Sequence, residues 1–266
     1  MKLAISGKGG VGKSTVAGTL AKLYAAGGNR VLAVDADPDA NLASALGLPL
    51  WIRSQIHTIS TERKLIEERT GAKVREFGQM FKLNPDVSDI AQRYAVRHEG
   101  VDLLVLGAIE RAAGGCACPE SVLLKSLVSH LVLRHGEVVI LDMEAGIEHL
   151  GRGTAMGVDM MMTVVEPGQR SVETARRVRK MSTDLGISRF GVVLNKTTDP
   201  EEDSRWIAYE FGAEHLLGTI PFDPRIARAD RQSLALADLG YPELLMPFRE
   251  LQQKLQSYCT EKESVL

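Results

Sequence analysis

The sequence predicts an α/β fold, a mostly parallel sheet flanked by helices on both faces, and three observations carry that expectation. Short apolar runs recur along the chain, the last three of them ending in an acid or a glycine: Leu3-Ala4-Ile5, Arg30 to Asp35, Val101 to Gly107 and Val138 to Asp142. Unbroken runs of this kind suit parallel strands buried on both faces. Between them lie stretches with helical spacing, such as Val16, Leu20 and Leu23. The third observation is the string Gly7-Lys8-Gly9-Gly10-Val11-Gly12-Lys13-Ser14-Thr15, set between the first strand and the first helix.

That string fits the phosphate-binding loop pattern G-x-x-x-x-G-K-[ST] at every fixed position. Glycines there let the backbone take φ > 0 and turn the N–H groups of Gly9 to Thr15 onto phosphate oxygens. Lys13 supplies a compact cation for the β- and γ-phosphates, and the Ser14 hydroxyl a hard ligand for Mg²⁺. The helix that follows points its positive end at the nucleotide. The fold class is therefore a P-loop NTPase.

Composition sets the outer bounds. The chain has 266 residues, 44% apolar and 25% charged, as in ordinary soluble globular proteins. Residues 1–266 read as a single P-loop domain. A formal net charge of −2 gives no global attraction to nucleic acid or anionic membrane. Met1-Lys2-Leu3 runs straight into the first strand, leaving no room for a signal peptide. No run is apolar enough to span a bilayer. Three cysteines make no disulfide framework, and a cytoplasmic chain is expected.

The second strand ends at Asp35, with its carboxyl end toward the nucleotide. In Asp35-Ala36-Asp37-Pro38-Asp39-Ala40-Asn41-Leu42, Pro38 fixes a turn and biases Asp37 toward extended backbone. Residues 50–100 read as an insertion over this side, with a surface helix over Thr61 to Thr70 and a turn at Asn84-Pro85-Asp86. After the strand at Val101 to Gly107 comes Gly114-Gly115-Cys116-Ala117-Cys118-Pro119, then a helix carrying Val122, Leu123, Leu127, Val128, Leu131 and Val132. Pro119 suits a first helical turn. The helix N-terminus favours thiolate at the two cysteines.

Val138 to Asp142 has the form of a strand ending in a carboxylate that holds Mg²⁺ through water. Strands follow at Met160 to Val165 and Arg189 to Asn195. The helix Val172 to Leu185 carries Arg176, Arg177, Arg179 and Lys180. With the net charge negative, a solvated face is favoured over a nucleic-acid stripe. Residues 242–266 hold a last helix, Met246 to Tyr258, and a tail of mixed charge that makes a poor membrane surface.

Lys8, one place after the first glycine, is absent from ordinary phosphate loops. G-K-G-G-V-G-K-S-T resembles the deviant loop of the MinD/ParA ATPases and the nitrogenase iron protein. That resemblance implies that Lys8 reaches the nucleotide of a second subunit. It implies further that Asp37 orients the attacking water and that Asn41, in the first switch D-P-x-x-N, senses the γ-phosphate. The second switch, commonly D-x-P-A-G, is matched by Asp142 to Gly146 with Glu144 in place of proline. Asn195 resembles the family's adenine-reading amide, which offers a donor and an acceptor to the base. Pro221-Phe222-Asp223 resembles the loop that closes over the other side of the base.

Cys116-x-Cys118 can share one soft metal but cannot complete a four-sulfur shell in one chain. Two chains face to face would supply four thiolates, suited to Ni²⁺ or Zn²⁺. With the deviant loop and Asp142 to Thr154, this C-x-C loop is similar to the CooC family, ATPases that mature carbon monoxide dehydrogenase; a close relative serves acetyl-CoA synthase. The resemblance implies an ATP-hydrolysing, Mg²⁺-dependent homodimer that carries Ni²⁺ between paired Cys116 and Cys118 and delivers it to a nickel enzyme. Three other readings fit less well. A MinD/ParA positioning ATPase needs a membrane helix or a DNA-binding patch. An iron–sulfur carrier like the nitrogenase iron protein draws its cysteines from distant positions. A GTPase needs N-K-x-D, and Asn195-Lys196-Thr197-Thr198 lacks the Asp.

Overall fold

Eight strands form one sheet in the order β3-β4-β2-β5-β1-β6-β7-β8. The computed structural model describes residues 1–74, 76, 79–107, 118–134, 138–144 and 157–263, and the side chains of these except 133, 134 and 259–263. The strands are β1 (Lys2–Ser6), β2 (Val31–Ala36), β3 (Val96–His98), β4 (Val101–Val105), β5 (Val138–Met143), β6 (Met160–Val165), β7 (Phe190–Thr197) and β8 (Leu216–Pro221). All neighbours pair in parallel except β3, which runs antiparallel to β4 at the edge.

Burial alternates along each strand because successive side chains leave opposite faces. Leu3, Ile5, Val31 and Ala33 join one core cluster, whereas Ala4, Leu32 and Val34 join another. The first core is closed by α1 (Lys13–Ala26), through Val16, Leu20 and Leu23, and by the last helix, through Phe248, Leu251 and Leu255. The second is closed by the helix Pro119–Arg134, through Leu123, Leu127 and Leu131. Each such leucine removed from water contributes roughly 1.5–3 kcal/mol.

Residues 42–94 add four helices, α2 (Leu42–Ala45), α3 (Leu50–Arg53), α4 (Arg63–Thr70) and α5 (Ile90–Tyr94). The expected surface helix at 61–70 is α4, and it buries Leu65 and Ile66 in the second core instead of merely lying on it. Later in the chain come α6 (Pro119–Arg134), α7 (Gln169–Leu185), α8 (Pro200–Phe211), α9 (Pro224–Gln232) and α10 (Pro242–Glu263). Asp199 caps α8, its carboxylate accepting the Glu202 N–H at 3.1 Å, with Pro200 in the first turn. Asp223 and Pro224 open α9 in the same way. The last helix begins at Pro242, four residues before Met246, and carries Pro247 inside it.

Because α10 lays Phe248, Leu251 and Leu255 into the core, its apolar face is occupied within the chain. No helix among the described residues is long and apolar enough to cross a membrane.

Candidate functional site

The central strand β1 lies between β5 and β6, and the glycine-rich string leaves its carboxyl end. The root of the string is pressed against β6. A Cβ on Gly7, whose φ is +147°, would sit 2.4 Å from the Val164 carbonyl oxygen. Gly12 closes the loop at φ +95° and heads α1 without any side-chain cap. Its first turn therefore offers N–H groups to an anion.

Two residues at the end of β7 hold the loop from the side. Asn195 donates from Nδ2 to the Val11 carbonyl at 2.8 Å, and Lys196 donates to the Gly10 carbonyl. Lys196 takes φ +59° to do so and lies 3.8 Å from Glu166. The amide expected to read adenine is thus tied, through its donor, to the loop backbone, and its acceptor oxygen is not engaged in that bond. Pro221 ends β8 beside it, where the Phe222 N–H donates to Thr197 O at 2.8 Å and the Phe222 ring is half-exposed.

Three acids gather at the carboxyl ends of the neighbouring strands. Parallel pairing sets Asp142 level with both Ile5 and Asp35. Asp35 is fully buried and organises the first switch: Oδ1 accepts the Asp37 N–H at 3.2 Å and Oδ2 the Leu42 N–H at 2.9 Å. Asp37 in turn accepts the Asp39 N–H at 3.1 Å and pairs with Lys13 at 3.3 Å. Asn41 is exposed and heads α2 without a side-chain cap bond.

Asp142 is fully buried, and neither carboxylate oxygen accepts a hydrogen bond. Burial, then the charge of Asp35, push its carboxyl up to about 7. The nearby Ser14 hydroxyl and Lys13 pull it down, and Asp37 adds a smaller upward push. Burial likewise raises Asp35 to about 6, against the N–H donors of Leu42 and Asp37. Two orphaned oxygens beside a serine hydroxyl and a second acid fit a hard divalent cation, so Ser14 and Asp142 suit Mg²⁺. Bound there, the cation would offset the charge of the phosphates. The Ser6 hydroxyl donates to the Glu144 carbonyl at 2.9 Å and ties the end of β5 to β1.

A cleft of about 400 Å³ opens over the loop, lined on one side by Lys8, Gly9, Lys13, Asp37, Asp39 and Glu144. Lys8 and Lys13 therefore share one space with the switch acids. Arg170, Glu173, Thr174 and Arg177 of α7 line the same cleft, a contribution the helical pattern did not reveal.

Cys118 stands half-buried immediately before α6. Its Sγ lies 3.0 Å from the Ser121 hydroxyl and accepts the Ser121 N–H at 3.4 Å. Cys116 and the stretch from Ala145 to Thr154 lie outside the described residues. Among the described residues, no group of three or more His, Cys, Asp or Glu side chains is placed to hold a metal.

Residues 2–236 match the family described as the CobQ/CobB/MinD/ParA nucleotide binding domain. The chain is 46% identical over 240 residues, 90% of each protein, to the carbon monoxide dehydrogenase accessory protein CooC of Rhodospirillum rubrum. It is 44% identical to an uncharacterized ATP-binding protein of Methanocaldococcus jannaschii, over 86% of this chain and 88% of that one. Among solved structures it is similar to the MinC:MinD cell division protein complex of Aquifex aeolicus, with a TM-score of 0.67 at 19% identity over 97% and 96% of the two chains. A putative plasmid partition protein of Borrelia burgdorferi bound to AMPPNP gives a TM-score of 0.64 at 16% identity, over 98% and 99%. At such identities the likeness is one of fold.

Proposed function

Because the chain belongs to the CobQ/CobB/MinD/ParA nucleotide-binding family and is a CooC-type ATPase, we propose that it is a nickel-handling chaperone of the cytoplasm. In this reading it dimerises on ATP, grips Ni²⁺ or Zn²⁺ with Cys116 and Cys118 of two subunits, and assists nickel insertion into carbon monoxide dehydrogenase. The observation that carries the client is the 46% identity to a carbon monoxide dehydrogenase accessory protein across nine-tenths of both chains.

The shared cleft of Lys8, Lys13 and Asp37 supports the following cycle. A triphosphate draws Lys13 off Asp37, and the released carboxylate orients a water toward the γ-phosphorus. The water oxygen bonds to phosphorus as the bond to the β–γ bridging oxygen breaks, giving ADP and phosphate. Ser14 and, through water, Asp142 would hold Mg²⁺, which would offset phosphate charge, and Asn41 would follow the γ-phosphate. Lys8 of each subunit takes the other's phosphates, so loss of the γ-phosphate removes a contact made only in the closed dimer. The cysteine loops, brought face to face by closure, separate again and release the ion. Asn195 and Pro221 flank the base.

A positioning role at a membrane is not favoured, because α10 spends Phe248, Leu251 and Leu255 on the core. The test is anaerobic size-exclusion chromatography with light scattering and metal analysis on an Asp37→Asn variant, with and without ATP and Ni²⁺. A dimer holding one nickel per two chains only with ATP is expected. A single copy under ATP, or nickel that binds a Cys116→Ser/Cys118→Ser variant equally well, overturns the reading.

A further inference from the structure

The arginines of α7 do not form one basic face. Arg176 pairs with Glu210 of α8, and Arg179 donates to the Phe211 carbonyl and lies against His215. These two bind α7 to its neighbours. Arg170, Glu173, Thr174 and Arg177 stand at i, i+3, i+4 and i+7, one stripe of the helix. That stripe lines the same cleft as Lys8 and Lys13.

Within the stripe the helix is held and the charged groups are exposed. Thr174 is buried, its hydroxyl donating to the Arg170 carbonyl at 3.0 Å and accepting from Arg177 at 3.3 Å. Arg170, Glu173 and Arg177 are exposed toward the cleft. The cleft then carries four cations, Lys8, Lys13, Arg170 and Arg177. It carries as many carboxylates, on Asp37, Asp39, Glu144 and Glu173.

A terminal phosphate brought in on Lys13 enters beside Asp37, Asp39 and Glu144, which repel it. Lys8, in the function proposed above, serves the other subunit. The two guanidinium groups are the remaining cations on this wall, and their planar donor forks suit phosphate oxygens. We propose that Arg170 and Arg177 form a second anion-binding wall that recognises the terminal phosphate of ATP and so separates ATP from ADP. This rests on the nucleotide occupying that cleft, as the proposed function requires.

The experiment measures ATP and ADP affinity by calorimetry for the full chain, for Arg170→Gln/Arg177→Gln and for Lys13→Ala. The double variant is expected to bind ATP at least ~10-fold more weakly, the effect of losing charge-assisted bonds. Its ADP affinity should stay within about twofold, as ADP has no group at that position. Its thermal midpoint should match that of the unaltered chain, because both side chains are exposed. Unchanged ATP affinity, or an equal loss for ATP and ADP, overturns the inference. Lys13→Ala separates the two readings: if it binds both nucleotides normally the cleft is not the nucleotide site, and if it binds neither, the arginine result stands alone.

Discussion

Lys13 Nζ lies 3.3 Å from Asp37 Oδ2 with both side chains nearly buried, so a phosphate that claims the loop lysine must take it from the carboxylate. In the proposed function the same two residues would compete in binding and cooperate in hydrolysis. Asp35, which accepts the Asp37 N–H, fixes where that exchange happens.

Replacing Asp37 with Asn should separate the two roles. Lys13 loses its internal partner, so ATP affinity is expected to rise by about threefold, from the release of a partly buried ion pair. Hydrolysis should fall by roughly 100-fold or more as the water loses its acceptor. Calorimetry and single-turnover phosphate release measure the two parts. A variant that binds ATP more weakly would contradict the competition.

Asp142 makes stability depend on pH with a definite sign. Its carboxyl is raised from 3.8 to about 7 in the folded chain, so the folded state holds a proton that the unfolded chain has lost. Stability therefore falls as pH rises from about 4 to about 7 and levels off above. The whole effect is on the order of 4 kcal/mol. Asp142→Asn should melt higher than the unaltered chain at pH 8, with the gap closing toward pH 4. Excess Mg²⁺ should raise the melting point of the unaltered chain and leave that of the variant nearly unmoved.

At Gly12 a Cβ would meet Asn195 Nδ2 at 2.5 Å, with φ at +95°. Gly12→Ala should lower stability by about 1–3 kcal/mol and weaken ATP binding. Adding Asn195→Ala removes the clash but not the backbone strain, so the double variant should recover part of the stability. Denaturant midpoints of the four forms give the coupling. Simple additivity would mean that the side chain moves aside freely.

Serine at both Cys116 and Cys118 should abolish Ni²⁺ and Zn²⁺ uptake and spare ATP turnover. The Ser121 hydroxyl and N–H beside Cys118 can be satisfied by serine oxygen, so α6 keeps its start. Equilibrium dialysis under anaerobic conditions, beside a phosphate-release assay, checks both halves. Loss of turnover along with the metal would tie the pair to the nucleotide site.

Six of the eight strands are legible because each is an apolar run; β3 is not, because Val96-Arg97-His98 is three residues long with Arg97 exposed, and β8 is not, because Leu216–Pro221 is only partly buried. Helices α8 and α9 are not among the sequence expectations, although Asp199-Pro200 and Asp223-Pro224 supply each start with a cap and a first-turn proline. The start of α10 was hidden by Pro247, which reads as a breaker yet sits inside the helix. The nucleotide loop needed only local sequence, since its glycines and lysine act through their own backbone. The grip of Asn195 on Val11 and the level placement of Asp35 and Asp142 arise from strand order, which no short window contains. Arg177 shows the same limit: charge composition grouped it with Arg176, and only the packing of α7 parts them.

The props supplied by Asn195 and Lys196 also bear on transplantation. The nine-residue string is not a self-sufficient cassette, because two of its carbonyls rest on side chains of β7, 184 and 186 residues further along the chain. Grafted into a sheet that lacks an amide and an amine at those spots, the same nine letters would arrive without their scaffold.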